Sequence, residues 1–429
     1  MILTDDRTGA ACKIIRHSSG LEIRVMEMPA FKTAAAQFAA RFGSQCVSFR
    51  ASPGAPVTEV PFGIAHYLEH KLFENPEDDA SALFAALGAF DNAYTDSDRT
   101  VYYFQTDRAF PEALRVLLQF VQSPYFTEEN VEQERGIIAQ ELQEALDDPA
   151  DCLMMQLLEG MYHSHPVRVH VLGTQSSIRQ ITPEQLRLCW ESFYNLHNMV
   201  LCCAGNIRAE DVLRVADEVL LPAPEMCAQA ILPEEPEGVR ARRMQRSMAV
   251  GKTQFMLGFK SAPAAGNLRL RETLLCSIVA ELLTGDTSPL YQRLLNAGLL
   301  NDTFATDCLS GEGWFAVTAE GESDDPDAVC EAICAEIARA KAEGLDDKRF
   351  TVCKKAAYGD AILGLNNPEA AADAMTDAFM IGADTPFART QILAELTLQD
   401  AQTCLLNRFD PERMTLSVIE PDNKRKEEF

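Results

Sequence analysis

The chain has 429 residues, 47% of them hydrophobic and 24% charged, a composition typical of a globular protein large enough for two or three hydrophobic cores. Its 38 Lys and Arg residues stand against 64 Asp and Glu residues, a net charge of −26. Nucleic acid is therefore excluded as an expected partner, because phosphate backbones require a basic surface. The N-terminus resembles no secretion signal, and no run of about 18 apolar residues occurs, so we predict a cytoplasmic protein without a membrane span.

Strand-like and helix-like patterns are mixed along the chain. Alternating apolar segments, such as 34–40 and 101–105, are interspersed with longer segments of helical periodicity, and a strand at 200–204 ends the first half. The order is not a regular strand–helix alternation. This favours an α+β fold in which helices pack on a mainly antiparallel sheet.

The segment from His66 to His70 reads HYLEH. On a helix, two histidines four positions apart lie on one face about one turn from each other, so both can bind a single zinc ion. Glu69 lies next to His70, where its carboxylate can act as a general base without binding the metal. These five residues alone are also consistent with a pair of histidines that binds no metal, either solvated at the surface or hydrogen-bonded in the core. The order H-x-x-E-H is typical of inverted-motif zinc peptidases.

A catalytic zinc ion takes a third protein ligand and leaves one position open. Residues 131–147, VEQERGIIAQELQEALD, have the spacing of an amphipathic helix that places Glu134 and Glu141 two turns apart on one stripe. We interpret Glu141 as the third ligand and Glu134 as a carboxylate that either orients a histidine ring or tunes the metal-bound water. Taken singly, each glutamate is equally consistent with an ordinary solvated helix face.

Four strings carry a resemblance to a known family: GIAHYLEHKLFE, GAFDNAYTDSDRTVYYF, ERGIIAQE and HSHPVRVHVLGTQSSIRQIT. They resemble the insulinase and pitrilysin type zinc peptidases, which include the mitochondrial processing peptidase, and the chain is most similar to half-length members. The resemblance is strong over residues 62–207. It implies a zinc ion held by His66, His70 and Glu141, with Glu69 as catalytic base and Glu134 as a supporting acid.

Asn92 and Ala93 belong to the string NAYT. They fall where the family uses an exposed edge strand to pair with the backbone of an extended peptide substrate. Strand addition of this kind gives affinity through main-chain hydrogen bonds and takes specificity from alternate side chains.

The two halves of the chain share a plan, which indicates an internal duplication. The segments that start at Ile181 and Leu396 both contain a Thr, a helical stretch, an aromatic residue, a Met and an apolar strand, at an offset of 215 residues. The same offset lays residues 64–70, IAHYLEH, on residues 279–285, VAELLTG, which keep the apolar frame without histidine. We predict an N-terminal zinc-bearing domain at 1–220, a proline-rich linker at 221–238 and a C-terminal domain without the metal motif at 239–429.

The thirteen cysteines contain no C-x-x-C pair. Cys202 and Cys203 lie in an apolar strand, and Cys330 and Cys334 lie one turn apart on a predicted helix. We interpret them as small core residues in a reducing compartment, rather than as a disulfide framework or a second metal site.

One string departs from the family pattern. Members of the family carry an arginine and a tyrosine, in a string like R-E-K-G-L-x-Y, that hold the substrate beside the zinc. In this chain Leu295 and Asn301 occupy those two positions, while Tyr291 and Arg293 lie shortly before them. Some members divide the zinc and the arginine–tyrosine pair between two subunits. The resemblance therefore implies a homologous partner subunit, or a homodimer.

The predicted function is that of a zinc metallopeptidase subunit that hydrolyses extended peptides. A non-catalytic assembly or scaffold subunit with the same fold is the alternative, although a scaffold need not keep His66, Glu69, His70 and Glu141 together. A zinc hydrolase of small amides fits the metal motif but not the edge strand.

Overall fold

A computed structural model describes residues 1–74, 79–225 and 228–422 of the chain. The described residues do not include Met226 and Cys227 of the predicted linker, nor the last seven residues of the predicted C-terminal domain. Within the described ranges, no helix combines the length and the apolar character needed to cross a membrane.

Fifteen strands are found in the described part of the chain. In chain order they are β1 Ile2–Thr4, β2 Ala11–Arg16, β3 Glu22–Glu27, β4 Ala34–Ala40, β5 Ser48–Arg50, β6 Thr58–Glu59, β7 Phe90–Thr95, β8 Thr100–Thr106, β9 Met199–Gly205, β10 Gln229–Ala230, β11 Arg243–Met248, β12 Gln254–Lys260, β13 Ala305–Gly311, β14 Trp314–Glu322 and β15 Met414–Pro421.

The same residues form fifteen α-helices and three short 3₁₀ helices. The α-helices are α1 Ile64–Phe73, α2 Ala80–Leu87, α3 Phe110–Gln122, α4 Glu128–Asp147, α5 Pro149–Met161, α6 Gln175–Ile178, α7 Pro183–Phe193, α8 Ala209–Val219, α9 Gly266–Thr284, α10 Pro289–Asn296, α11 Pro326–Glu343, α12 Asp347–Gly364, α13 Pro368–Ile381, α14 Ala388–Glu395 and α15 Leu398–Arg408. The 3₁₀ helices are Pro166–Arg168, Leu196–Asn198 and Pro411–Arg413.

The chain forms two compact units. The first contains residues 1–142, 170–232 and 361–388, and the second contains residues 143–169, 233–360 and those from Arg389 onward. The first unit contains a seven-stranded sheet of order β1-β2-β3-β9-β4-β8-β7. It also contains a three-stranded sheet of order β10-β5-β6. Strands β3 and β9 run parallel, and the other pairs of the large sheet are antiparallel.

The second unit contains a five-stranded sheet of order β11-β15-β12-β14-β13, in which β11 and β15 form the parallel pair. Its strands therefore repeat the arrangement β3-β9-β4-β8-β7 of the first unit. Both sheets are mainly antiparallel and pack against helices, so the predicted α+β fold of two related domains is confirmed.

Element positions confirm the duplication at an offset of 215 residues. Helix α7 begins at Pro183 and α15 at Leu398, and both are 11 residues long with a threonine capping box. Strand β9 begins at Met199 and β15 at Met414. The two copies thus retain matching caps, helices and strands.

Each unit takes one helix from the other half of the sequence. Helix α13 packs on the sheet of the first unit, where Ala371, Ala372 and Met375 contact side chains of β4 and β9. Helix α5 packs on the sheet of the second unit, where Leu157 and Met161 lie in the core with residues of β12 and β15. The domain boundaries at 220 and 239 stay a prediction about the duplicated halves, because the compact units do not follow the sequence halves.

Two glycines position the start of helix α1. Gly63, the N-cap residue, has φ +88°, and a Cβ there would overlap the carbonyl of Leu172. Gly173 has φ +82°, and a Cβ there would overlap the carbonyl of Phe62. Because glycine alone tolerates both the left-handed backbone and the close approach, the first turn of α1 lies directly against the segment before α6.

Replacing Gly63 with alanine should reduce stability and displace α1. We expect a loss of at least about 2 kcal/mol in the free energy of unfolding, because an alanine in the left-handed region is strained and its methyl overlaps the Leu172 carbonyl. Urea denaturation of both proteins measures the change.

Gly136→Ala is the matched control, since Gly136 is exposed in the middle of α4 with open space around it. Alanine is the better helix former, so this variant should gain about 0.5–1 kcal/mol. A Gly63→Ala protein as stable as the parent would contradict the close packing.

Candidate metal centre

Helix α1 places the two histidines of the HYLEH segment side by side. Ile64, Leu68 and Leu72 are buried, so they fix the helix on the core and leave the histidine face toward α4. The imidazole centroids of His66 and His70 are 4.5 Å apart, and the rings are tilted by 54°. Both side chains are largely buried, with 14% and 23% exposed.

Helix α4 supplies a carboxylate to the same point. Glu141 Oε2 lies 3.6 Å from His70 Nε2 and 4.0 Å from His66 Nε2. The ligand atoms of these three residues all lie within 4.8 Å of one another, the only cluster of this type that the described histidines, cysteines, aspartates and glutamates form. The structure thus brings together the three side chains predicted to bind zinc.

The donor set fits a zinc ion. Zinc binds imidazole nitrogen and carboxylate oxygen at about 2.0–2.2 Å, so three ligands of one tetrahedral ion lie about 3–4 Å apart. The measured separations of 3.6 Å and 4.0 Å agree with that arrangement. Two nitrogens and one oxygen also leave a fourth position open, as in catalytic sites.

The surroundings of His66 favour the neutral imidazole, the form that can bind a cation. Burial, together with the nearby charge of His70, lowers the pKa of His66 to about 3. The His66 ring is therefore neutral at physiological pH and has a lone pair available. Its Nδ1 is buried and has no hydrogen-bond partner in the described ranges.

His70 is oriented by Glu134. The ring Nδ1 lies 2.9 Å from Glu134 Oε1, and the Glu134 side chain is only 7% exposed. A proton on Nδ1 leaves the Nε2 lone pair directed toward Glu141. Burial alone would lower the pKa of His70, but the hydrogen bond to Glu134 and the charge of Glu141 outweigh it and raise the pKa.

Two buried side chains of α1 hold the first turn of α4. The Tyr67 hydroxyl donates to the carbonyl of Val131, and Lys71 Nζ donates to the carbonyl of Asn130 at 3.2 Å. Both side chains are fully buried, and Lys71 also pairs with Glu74. These contacts fix α4 beside α1, so that Glu134 and Glu141 follow one and three turns later on the same helix.

The predicted base is buried beside the cluster. Glu69 is 7% exposed, and its Oε2 accepts a hydrogen bond from the Thr95 hydroxyl. Burial raises the pKa of Glu69, although the Thr95 hydrogen bond opposes the shift. A carboxylate with a raised pKa is a better proton acceptor near neutral pH than an exposed one.

Strand β7 contains Asn92 and Ala93 and forms an edge of the seven-stranded sheet, as the sequence predicts. The Asn92 side chain is exposed, and its Oδ1 accepts a hydrogen bond from the Ala93 amide at 2.8 Å. The strand packs against α1 and ends at Thr95, the residue that contacts Glu69. The edge strand and the proposed base are therefore directly linked, and contact with a substrate stays a prediction.

The second unit contains the two residues at the positions of the family arginine and tyrosine. Leu295 is 38% exposed at the end of α10. Asn301 is partly buried, and its Nδ2 donates to Glu322 Oε2 at 2.8 Å. Nearby, Arg293 is exposed, whereas Tyr291 is 7% exposed and packs against Phe304.

Three residues that position the site are not among those predicted from the sequence: Tyr67, Lys71 and Thr95. Lys71 offered a signal, because a lysine that follows His70 falls on the otherwise buried side of α1. Tyr67 and Thr95 offered none. Their partners are found only in the tertiary structure.

Comparison with known proteins gives matches along most of the chain. Residues 58–175 match the family model described as insulinase (peptidase family M16), and residues 180–357 match the model described as the peptidase M16 inactive domain. The chain is 31% identical over 411 residues to a Bacillus subtilis protein named uncharacterised zinc protease YmfH, covering 94% of this chain and 95% of that protein. It is 32% identical over 162 residues to a Schizosaccharomyces pombe protein named "Probable mitochondrial-processing peptidase subunit beta", covering 36% of this chain and 35% of that one.

Solved structures also match the chain along nearly its whole length. A crystal structure of an M16-like peptidase from Alicyclobacillus acidocaldarius is 34% identical, with a TM-score of 0.93 over 96% of this chain and 99% of that chain. The crystal structure of pitrilysin, at 17% identity and a TM-score of 0.77, covers 98% of this chain and 46% of that chain. The second likeness is one of fold alone.

Removing the carboxylate that orients His70 should weaken metal binding. We expect Glu134→Gln to bind zinc about 10–100-fold less tightly, because the amide accepts a weaker hydrogen bond from His70 Nδ1. Competition with a chromogenic zinc chelator measures the affinity. Glu129→Gln, an exposed position on the same helix, should leave it unchanged, and equal affinity of both variants would exclude the orienting role of Glu134.

Proposed function

The chain belongs to the insulinase family of peptidases, family M16, and we propose that it is a zinc-dependent peptidase that hydrolyses bonds in extended peptides. One observation carries the proposal: the ligand atoms of His66, His70 and Glu141 converge within 4.8 Å, and the buried carboxylate of Glu69 lies on the same helix as both histidines, next to His70 in sequence. A carboxylate beside an open metal position is the arrangement that peptide hydrolysis requires.

Glu69, Thr95 and Glu134 would each have a separate role in peptide hydrolysis. When bound, zinc supplies Lewis acidity that makes water nucleophilic near neutral pH and polarises a peptide carbonyl. Glu69 accepts the proton of the attacking water at its carboxylate and returns it to the leaving amine. The Thr95 hydroxyl holds one oxygen of Glu69, so the other oxygen is the one free to take the proton. Glu134 keeps His70 in the tautomer that binds through Nε2.

Strand β7 is the proposed peptide-binding element. An edge strand presents unpaired backbone groups on one side, and an extended peptide adds to it as a further strand. Because β7 ends at Thr95, a peptide paired along Asn92 and Ala93 would run toward Glu69. The Asn92 side chain must release the Ala93 amide for such pairing.

A homologous partner subunit is part of the proposal. Leu295 and Asn301 lack the charged and phenolic groups with which family members hold the substrate, and an oxyanion-stabilising donor is typically worth about 100–1,000-fold in rate. One relative is itself named as a subunit of a processing peptidase. A cytoplasmic location is proposed with it, since the twelve described cysteines are free thiols.

A non-catalytic assembly subunit is the second candidate. It is favoured by the match of residues 180–357 to a domain described as inactive, together with Leu295 and Asn301. Convergence of His66, His70 and Glu141, with the buried Glu69 on the same helix as the histidines, favours the peptidase, because an assembly role makes no use of a metal-ligand cluster with a buried base.

Substitution of the base and of the third ligand should separate chemistry from metal binding. We expect Glu69→Gln to retain about one zinc per chain and to lose peptide hydrolysis, because an amide cannot accept the proton. Glu141→Gln should lose zinc as well as hydrolysis. Elemental analysis and cleavage of a quenched fluorescent peptide measure the two properties.

Glu191→Gln, an exposed position on α7, is the control and should behave as the parent. Unchanged zinc content in Glu141→Gln would remove Glu141 from the ligand set. Retained hydrolysis in Glu69→Gln would remove Glu69 as base.

Mixing with a partner tests the two-subunit arrangement. We expect the purified chain to hold zinc yet to cleave peptides slowly, and to gain at least about tenfold when a homologous chain that carries R-E-K-G-L-x-Y is added. Cleavage rates with and without that chain are compared at equal zinc content. Full activity of the chain alone would contradict the arrangement and would direct attention to Arg293 and Tyr291.

A further inference from the structure

Three sulfur atoms converge in the second unit, far in sequence from the residues of the zinc site. Cys330 Sγ lies 3.6 Å and Cys334 Sγ lies 3.7 Å from Met414 Sδ. The cysteines are one turn apart on α11, and the methionine begins β15. The interaction between the two thiols lowers the pKa of Cys334 and raises that of Cys330. Two thiols and one thioether therefore face a common point.

Two of the three residues of the sulfur cluster are partly exposed. Cys330 is 7% exposed, and Cys334 and Met414 are each partly exposed. A second close sulfur pair, Cys276 and Cys404 at 3.5 Å, is buried to 0% and 2% exposure. An ion can reach the first cluster without opening the core, whereas the second pair has the properties of simple core packing.

The duplicated half provides an internal comparison. At the offset of 215 residues, Met414 corresponds to Met199, while Cys330 and Cys334 correspond to Arg115 and Gln119 on α3. Both helices begin with a proline in the first turn. The fold thus accepts long polar side chains at these helix positions, so packing alone does not require two cysteines.

We propose that Cys330, Cys334 and Met414 form a binding site for a soft monovalent metal ion, copper(I). Thiolate and thioether ligands select copper(I), whereas structural zinc sites use four ligands that are thiolate, imidazole or carboxylate. Metal–thiolate bonds of about 2.3 Å place three sulfurs around one ion about 4 Å apart. The measured 3.6 Å and 3.7 Å need little rearrangement. Binding releases one proton from each thiol to solvent.

The test is a copper(I) titration of the full, zinc-loaded chain. Copper(I) is presented as its bathocuproine disulfonate complex with ascorbate under anaerobic conditions, and withdrawal of the ion bleaches the complex. We expect one copper(I) per chain with no loss of zinc. The Cys330→Ser/Cys334→Ser protein should lose this binding, and Met414→Leu should bind roughly tenfold more weakly because it keeps only the two thiolates.

Two controls make the outcome specific. Cys353→Ser, a buried cysteine on α12, and Cys404→Ser, in the closed sulfur pair, should both bind copper(I) as the parent does. Cys334→Ser alone changes a partly exposed side chain and serves if the double variant fails to fold. The proposal is overturned if the parent withdraws no copper(I), if the serine variants at 330 and 334 bind it normally, or if binding is lost with Cys404.

Discussion

Two buried hydrogen bonds between α1 and α4 set the geometry on which the metal centre depends. Helical spacing alone can align His66 and His70, but a third ligand must come from another element at a fixed distance. Tyr67 and Lys71 provide that distance by binding two successive carbonyls in the first turn of α4. Because an α-helix is rigid over a few turns, fixing its start also fixes the position of Glu141.

The charge balance of the site follows from this arrangement. Glu69 and Glu134 are buried, Glu141 is partly buried, and Lys71 is the buried cation among the described side chains of α1. Burying several carboxylates around two imidazoles costs free energy unless a positive charge compensates. A divalent cation between His66, His70 and Glu141 supplies that charge, whereas a site built only for packing would not carry it.

Sequence patterns predicted those parts of the structure that depend on local spacing. The i,i+4 histidines and the two-turn separation of the α4 glutamates are periodicities that a single element reveals, whereas the edge strand is implied by the resemblance to the family. The fold class and the 215-residue duplication were predicted for the same reason, and they are confirmed. Zinc binding by His66, His70 and Glu141 and the base role of Glu69 stay predictions, which the geometry of the cluster supports.

Contacts between distant segments could not be predicted. No local pattern indicates that Thr95 binds Glu69, or that helices α5 and α13 pack in the unit opposite to their half of the sequence. The spacing of Cys330 and Cys334 gives no sign of their contact with Met414, which lies 84 and 80 residues farther along the chain. Such pairings depend on how complete elements pack, and that information is spread over the whole chain.

A crystal structure of the zinc-loaded chain would show whether one zinc ion bridges α1 and α4. Anomalous scattering recorded on both sides of the zinc absorption edge locates the ion and identifies the element. We expect one strong peak bound by Nε2 of His66, Nε2 of His70 and a carboxylate oxygen of Glu141, at about 2.0–2.2 Å from each. A zinc peak away from these residues, or coordination that leaves Glu141 unbound, would contradict it.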